Sequence, residues 1–85
     1  MEALGLRRSL QAVQAAFMEG IRSGTELSGV IREELSPYPR LQLQYGEIVH
    51  PESLDPLEAV TPGAVAVLAA HCGRTRLIDN HILEA

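Results

Sequence analysis

The stretch Arg40-Leu41-Gln42-Leu43-Gln44-Tyr45-Gly46-Glu47-Ile48-Val49 decides the fold. Leu41, Leu43 and Tyr45 alternate with Gln42 and Gln44. Successive side chains of an extended backbone point to opposite faces, so this spacing predicts a strand with one wet face. The adjacent apolar pair Ile48-Val49 blurs the alternation and predicts a β-bulge at Gly46. Immediately upstream, Ser36-Pro37-Tyr38-Pro39 stops any helix, because proline disfavours helical geometry in the residue before it. The apolar period is 3.6 before Arg40 and 2.0 after it.

Toward the N-terminus, Leu6, Leu10, Val13, Phe17 and Ile21 advance by three or four and form one stripe of a helix at about 2–22. Ala12, Ala15 and Ala16 favour that helix, and Gly24 is its expected left-handed stop. Thr25 is the expected N-cap of a second helix, with Leu27, Val30, Ile31 and Leu35 as its apolar face and Arg32, Glu33 and Glu34 solvated. Two helices joined by so short a link run antiparallel.

Toward the C-terminus, His50 to Pro56 reads as a connection, with Pro51-Glu52-Ser53-Leu54 as one helical turn. Thr61-Pro62-Gly63 is a turn signal. The nearly all-apolar run Ala64 to Ala70 suits a central strand covered on both faces. Cys72-Gly73-Arg74 reverses the chain, and Thr75 to about Leu83 returns as a third strand. The expected fold is α+β: two antiparallel helices packed on a small, largely antiparallel three-stranded sheet at 41–49, 64–71 and 75–82.

An 85-residue chain supports one modest core. Its net charge is −4 and all seven of its cations are arginine, which disfavours nucleic acid and anionic membrane as partners. No apolar run reaches the roughly 20 residues that span a bilayer, and the start lacks a signal-peptide pattern, so a cytoplasmic location is expected. The single cysteine fits a reducing compartment.

The chemistry-bearing residues are sparse. His50, His71, Cys72 and His81 follow no metal-ligand spacing, and adjacent His71 and Cys72 point to opposite faces of a strand. Nothing orients a Cys/His nucleophilic pair. Glu33-Glu34 reads as a solvated helix face, and Glu52, Asp55 and Glu58 as part of a turn-rich connection. Scattered glycines and the lack of any lysine leave no phosphate loop and no Schiff-base residue. Metal, cofactor and catalytic residues are therefore expected to be none. In Arg74-Thr75-Arg76-Leu77-Ile78-Asp79-Asn80, Arg76, Asp79 and Asn80 can build a hydrogen-bonded network. Its plain reading is a structural arginine–carboxylate pair; the sharper one is contact with a ligand or a neighbouring domain.

The segment Gly73-Arg74-Thr75-Arg76-Leu77-Ile78-Asp79-Asn80 resembles the G-x-T-R-L-I-D-N stretch near the end of pantothenate synthetases. Tyr45-Gly46-Glu47-Ile48-Val49-His50-Pro51-Glu52-Ser53-Leu54 is similar to the family's Y-x-E-I-V-D-P-x-T-L, with His50 for the usual Asp and Ser53 for Thr. Ala3-Leu4-Gly5-Leu6-Arg7-Arg8-Ser9-Leu10 resembles the A-L-x-L-x-x-A-L that opens the family's C-terminal domain. The resemblance implies that residues 1–85 are that single C-terminal domain, a lid, without the Rossmann-like N-terminal catalytic domain. It implies a parent enzyme, homodimeric, that joins pantoate to β-alanine through a pantoyl adenylate, using ATP with Mg2+ and releasing AMP and pyrophosphate. The family's H-x-G-H motif and its Lys/Met-Ser loop have no counterpart here, so no catalytic or binding residue carries over. Gly73, Thr75, Arg76, Leu77, Ile78, Asp79 and Asn80 are expected to be structural. Some family members continue into a cytidylate kinase domain, and Met1 and Ala85 stay open as natural or artificial ends. A stand-alone α+β interaction module, or a small enzyme built on Arg76, Asp79 and a histidine, remain as alternatives.

Overall fold

The computed structural model describes residues 2–84; Met1 and Ala85, whose status as ends is open, lie outside the described residues. The order is α1 (Glu2–Met18), α2 (Gly24–Leu35), β1 (Leu41–Val49), β2 (Val65–Cys72) and β3 (Thr75–Ile82). The three strands form one antiparallel sheet in the order β1-β2-β3. The expected architecture therefore holds, and the sheet is antiparallel throughout.

The predicted stripe of α1 is the heart of the core. Leu10, Val13 and Phe17 are fully buried, Leu6 nearly so, and Ile21 packs against them from beyond the helix. From α2 come Leu27, Ile31 and Leu35, and from the sheet Ile48, Ala66, Leu68 and Ala70, so one face of the sheet carries both helices. Arg32, Glu33 and Glu34 are exposed as expected.

The helix ends differ from the sequence reading. α1 stops at Met18, and Gly20 rather than Gly24 takes the left-handed position, at φ 109°. The Gly20 N–H donates to Phe17 O at 3.1 Å and the Ile21 N–H to Ala16 O at 3.1 Å, the paired bonds that satisfy orphan carbonyls at a helix end. Arg22 completes this end. Its guanidinium lies 3.8 Å from the Phe17 ring centroid and donates to Phe17 O. Gly24 instead opens α2, and the cap is Ser23, whose hydroxyl accepts from the Glu26 N–H at 3.2 Å; Thr25 is one position too late. Gly24 is needed for close approach, because a Cβ there would fall 1.8 Å from Leu57 O. The Gly24 N–H donates to Glu58 O at 2.9 Å, tying α2 to the β1–β2 connection.

Two sheet details also depart from expectation. The register shift lies between Leu43 and Tyr45, so Gln44 occupies the irregular position and Gly46 pairs regularly with Leu68. The slip moves Tyr45 to the wet face and hands the inward alternation to Gly46 and Ile48. β2 is central, but only its helix-facing side is closed over. On its outer side small Ala69 is buried between its strand neighbours, while Val65, Val67 and His71 are half-buried, because no second layer lies there among the described residues. β2 also runs one residue later than expected, since Ala64 belongs to the turn, its N–H bonded to Thr61 O at 3.1 Å.

The His50–Asp55 connection is one tight turn, with the Leu54 N–H donating to His50 O at 2.9 Å and Leu54 in the left-handed region at φ 63°. The His50 imidazole holds it: Nδ1 accepts from the N–H groups of Glu52 at 3.1 Å and Ser53 at 3.3 Å.

Candidate functional site

The family-like segment forms the β2–β3 hairpin tip and most of β3. Gly73 lies in the two-residue loop between Cys72 and Thr75, at φ 61°. Strand alternation then splits the segment. Leu77, Asp79 and His81 face the helices; Arg76, Ile78, Asn80 and Ile82 face outward and are exposed.

Arg76 and Asp79 consequently sit on opposite sides of the sheet and do not pair, which corrects the expected network. The Arg76 Nε–H donates to Gln44 Oε1 at 2.9 Å, across the outer face. Asp79 Oδ1 accepts from Arg7 Nη2 of α1 at 2.9 Å and from the Asn80 backbone N–H at 2.8 Å. Sequence reasoning misses Arg7 because its charge points to the solvated side of α1. The available signal is that Asp79 shares its parity with Leu77 and so must meet a helix.

A second polar clamp lies two residues on. The Gln14 amide donates to Glu84 O at 2.6 Å, which fixes its orientation, and its Oε1 accepts from the Glu84 N–H at 3.2 Å. That oxygen is 3.1 Å from His81 Nε2, so the imidazole presents its N–H there. Arg7 and Gln14 are seven positions apart, two turns of one face of α1, and each fastens the β3 end of the sheet to the helix.

His71 and Cys72 do lie on opposite faces: His71 stands beside Gln42 and Arg76, while Cys72 packs against the core. Among the described residues no three His, Cys, Asp or Glu side chains converge to hold a metal ion. An open groove of about 520 Å3 runs between α2 and the β1–β2 connection, lined by residues that include Thr25, Ser28, Arg32, Glu47 and Glu58. Ser28 is already committed there, its hydroxyl donating to Gly46 O. No helix of the described chain is long and apolar enough to cross a membrane.

Fold and contacts together define a two-layer α+β unit whose family-like segment fastens helix to sheet. The chain belongs to the pantoate–β-alanine ligase family, whose profile matches residues 1–82. It is 40% identical over 82 residues to the bifunctional pantoate ligase/cytidylate kinase of Thermosynechococcus vestitus, covering 96% of this chain and 16% of that protein. It is 44% identical over 80 residues to the pantothenate synthetase of Roseiflexus castenholzii, covering 94% of this chain and 29% of that protein. The crystal structure of pantothenate synthetase from Thermus thermophilus superposes with a TM-score of 0.87 at 33% identity, over 95% of this chain and 29% of that one. The chain thus spans less than a third of the length of these relatives.

Proposed function

We propose that this chain is the C-terminal lid domain of an AMP-forming pantoate–β-alanine ligase. What carries the reading is the family match over nearly the whole chain, joined to the small share of each relative that the chain spans. Relatives named for one activity and relatives named for two match over the same eighty-odd residues. A segment common to both belongs with the ligase activity they share, whether or not a cytidylate kinase accompanies it.

The parent, a cytoplasmic and homodimeric enzyme in this reading, activates pantoate with ATP to a pantoyl adenylate and releases pyrophosphate. The amine of β-alanine then attacks the acyl carbon and AMP leaves. The residues of this chain do not fit ATP with Mg2+. There is no lysine and no glycine-rich loop for the phosphates, and among the described residues no acidic cluster for a divalent cation. No chemical step is therefore assigned to them. Their part is physical: a rigid two-layer body that covers the site and keeps water from an intermediate prone to hydrolysis.

Incubating the purified chain with ATP, Mg2+, pantoate and β-alanine tests the division of labour. No AMP and no pantothenate are expected; product formation by this chain would place the chemistry within it and overturn the reading.

A further inference from the structure

His50 accepts two hydrogen bonds that only an uncharged ring can take. The N–H groups of Glu52, at 3.1 Å, and Ser53, at 3.3 Å, both point at its Nδ1. A backbone N–H only donates, so Nδ1 carries a lone pair and the ring proton sits on Nε2. A second proton would turn this acceptor into a donor facing two other donors, and the ring would have to leave. Histidine is the side chain that takes up such a proton near neutral pH. The turn it closes also holds a conformation that an L-residue disfavours. Leu54 is the one non-glycine residue at positive φ among the described residues, at 63°, where Cβ crowds the following carbonyl. Its N–H donates to His50 O at 2.9 Å, and the His50 N–H donates to Asp55 O at 2.9 Å. Placed this way, Leu54 walls a shallow hollow of about 440 Å3 on the outer face of the sheet, with Tyr45, Glu47, Val49 and Val67.

We propose that His50 is a proton-operated latch: the neutral ring closes the 50–55 turn and holds Leu54 as a wall of the hollow, and the imidazolium releases both. The turn's own charged groups are Glu52 and Asp55. Beside it, β1 brings Glu47 and the connection brings Glu58, while α2, tied to that connection through Gly24, carries Glu26 in its first turn. β2 opens with uncharged Val65 and stands between the turn and β3. All of these charged groups are carboxylates, so no cation among them opposes the proton. None lies within 4 Å of the ring among the described residues, so none holds an imidazolium in the closed position. The latch needs the neutral ring: its hold is present above the imidazole range and is lost as the pH falls through it. Opening relieves Leu54 and leaves the Glu52 and Ser53 N–H groups to water, which already reaches this exposed turn. The bonds from Leu57 N–H to Ile48 O at 2.8 Å and from Gly24 N–H to Glu58 O at 2.9 Å confine the change to residues 50–55.

Amide exchange measured by NMR at about pH 8 and about pH 5, on either side of the imidazole range, tests this. The amides of Glu52, Ser53 and Leu54 should exchange about fivefold faster at the lower pH after correction for intrinsic rates, the scale of one modest hydrogen bond lost. The strong intraresidue amide–Hα cross-peak that marks a positive φ should fade at Leu54 over the same range. The amides of Gly24 and Leu57 should keep their rates. His50→Asp supplies an acceptor that stays ionised here, since carboxylates ordinarily titrate at about pH 4, and should show the slow rates at both pH values. His50→Ala should show the fast rates at both. Rates at 52–54 that stay constant while the ring resonances report protonation of His50 would overturn the proposal. So would a His50→Asp variant with the same pH dependence as the wild type.

Discussion

Arg7 and Asp79 stand 72 positions apart in sequence and meet at 2.9 Å, joining the first turns of α1 to the middle of β3. Their side chains are 42% and 28% exposed, so water screens the pair substantially.

Asp79→Ala removes both the ion pair and the acceptor of the Asn80 N–H, and should cost about 1 kcal/mol. In a double-mutant cycle with Arg7→Ala the coupling should be about 0.5 kcal/mol, given the exposure. Arg76→Ala, whose exposed side chain bonds Gln44 alone among the described residues, should lie within about 0.5 kcal/mol of wild type. Urea denaturation of the four variants checks all three values. An Arg76→Ala effect as large as that of Asp79→Ala would contradict the placement of these residues on opposite faces.

Gly24→Ala should be far worse than its small change in size suggests. The added methyl would sit 1.8 Å from a backbone oxygen, and neither α2 nor the Leu57–Glu58 connection can yield without breaking the Gly24–Glu58 hydrogen bond. A loss of at least about 2 kcal/mol is expected. Gly29→Ala is the control: nothing lies within 4 Å of its added methyl, so about 1 kcal/mol of gained helix propensity should stabilise the chain. Thermal melts of the two variants moving in the same direction would refute the local packing described.

What the sequence makes legible follows periodicity. The stripe Leu6 to Phe17, the face Leu27 to Leu35 and the alternation from Leu41 onward name the elements because burial repeats along them. Boundaries are less legible, since Gly20 and Gly24 carry the same propensity for a stop. Leu57 O, a long-range neighbour no local pattern reports, decides between them. The bulge falls at Gln44 rather than Gly46 because the core needs Ile48 inward, opposite Ala66, and the slip can be taken anywhere upstream. Of the candidate site, the segment 73–80 is visible in the sequence but its partners are not. Arg7 and Gln44 are polar residues on elements whose facing depends on the assembled layers.

His50 holds its turn as a hydrogen-bond acceptor, the task a short carboxylate performs in the same geometry. His50→Asp should therefore leave stability within about 0.5 kcal/mol, while His50→Ala, which strands the N–H groups of Glu52 and Ser53, should cost about 1 kcal/mol. Chemical denaturation with backbone amide shifts at residues 52 and 53 reads both. An Asp variant as unstable as the Ala variant would show that the ring acts through something other than its Nδ1 acceptor.

The proposed role of these residues is to shield an adenylate and to supply none of its chemistry. It is tested most directly by deleting them from a full-length ligase of this family and counting AMP released per pantothenate formed. ATP binding should stay within about threefold of normal, the scale of a loss below 1 kcal/mol. Pantothenate formation should fall sharply, and the ratio should rise above one as the intermediate leaks to water. A truncated enzyme that keeps normal pantothenate turnover, with one AMP per pantothenate, would contradict the account.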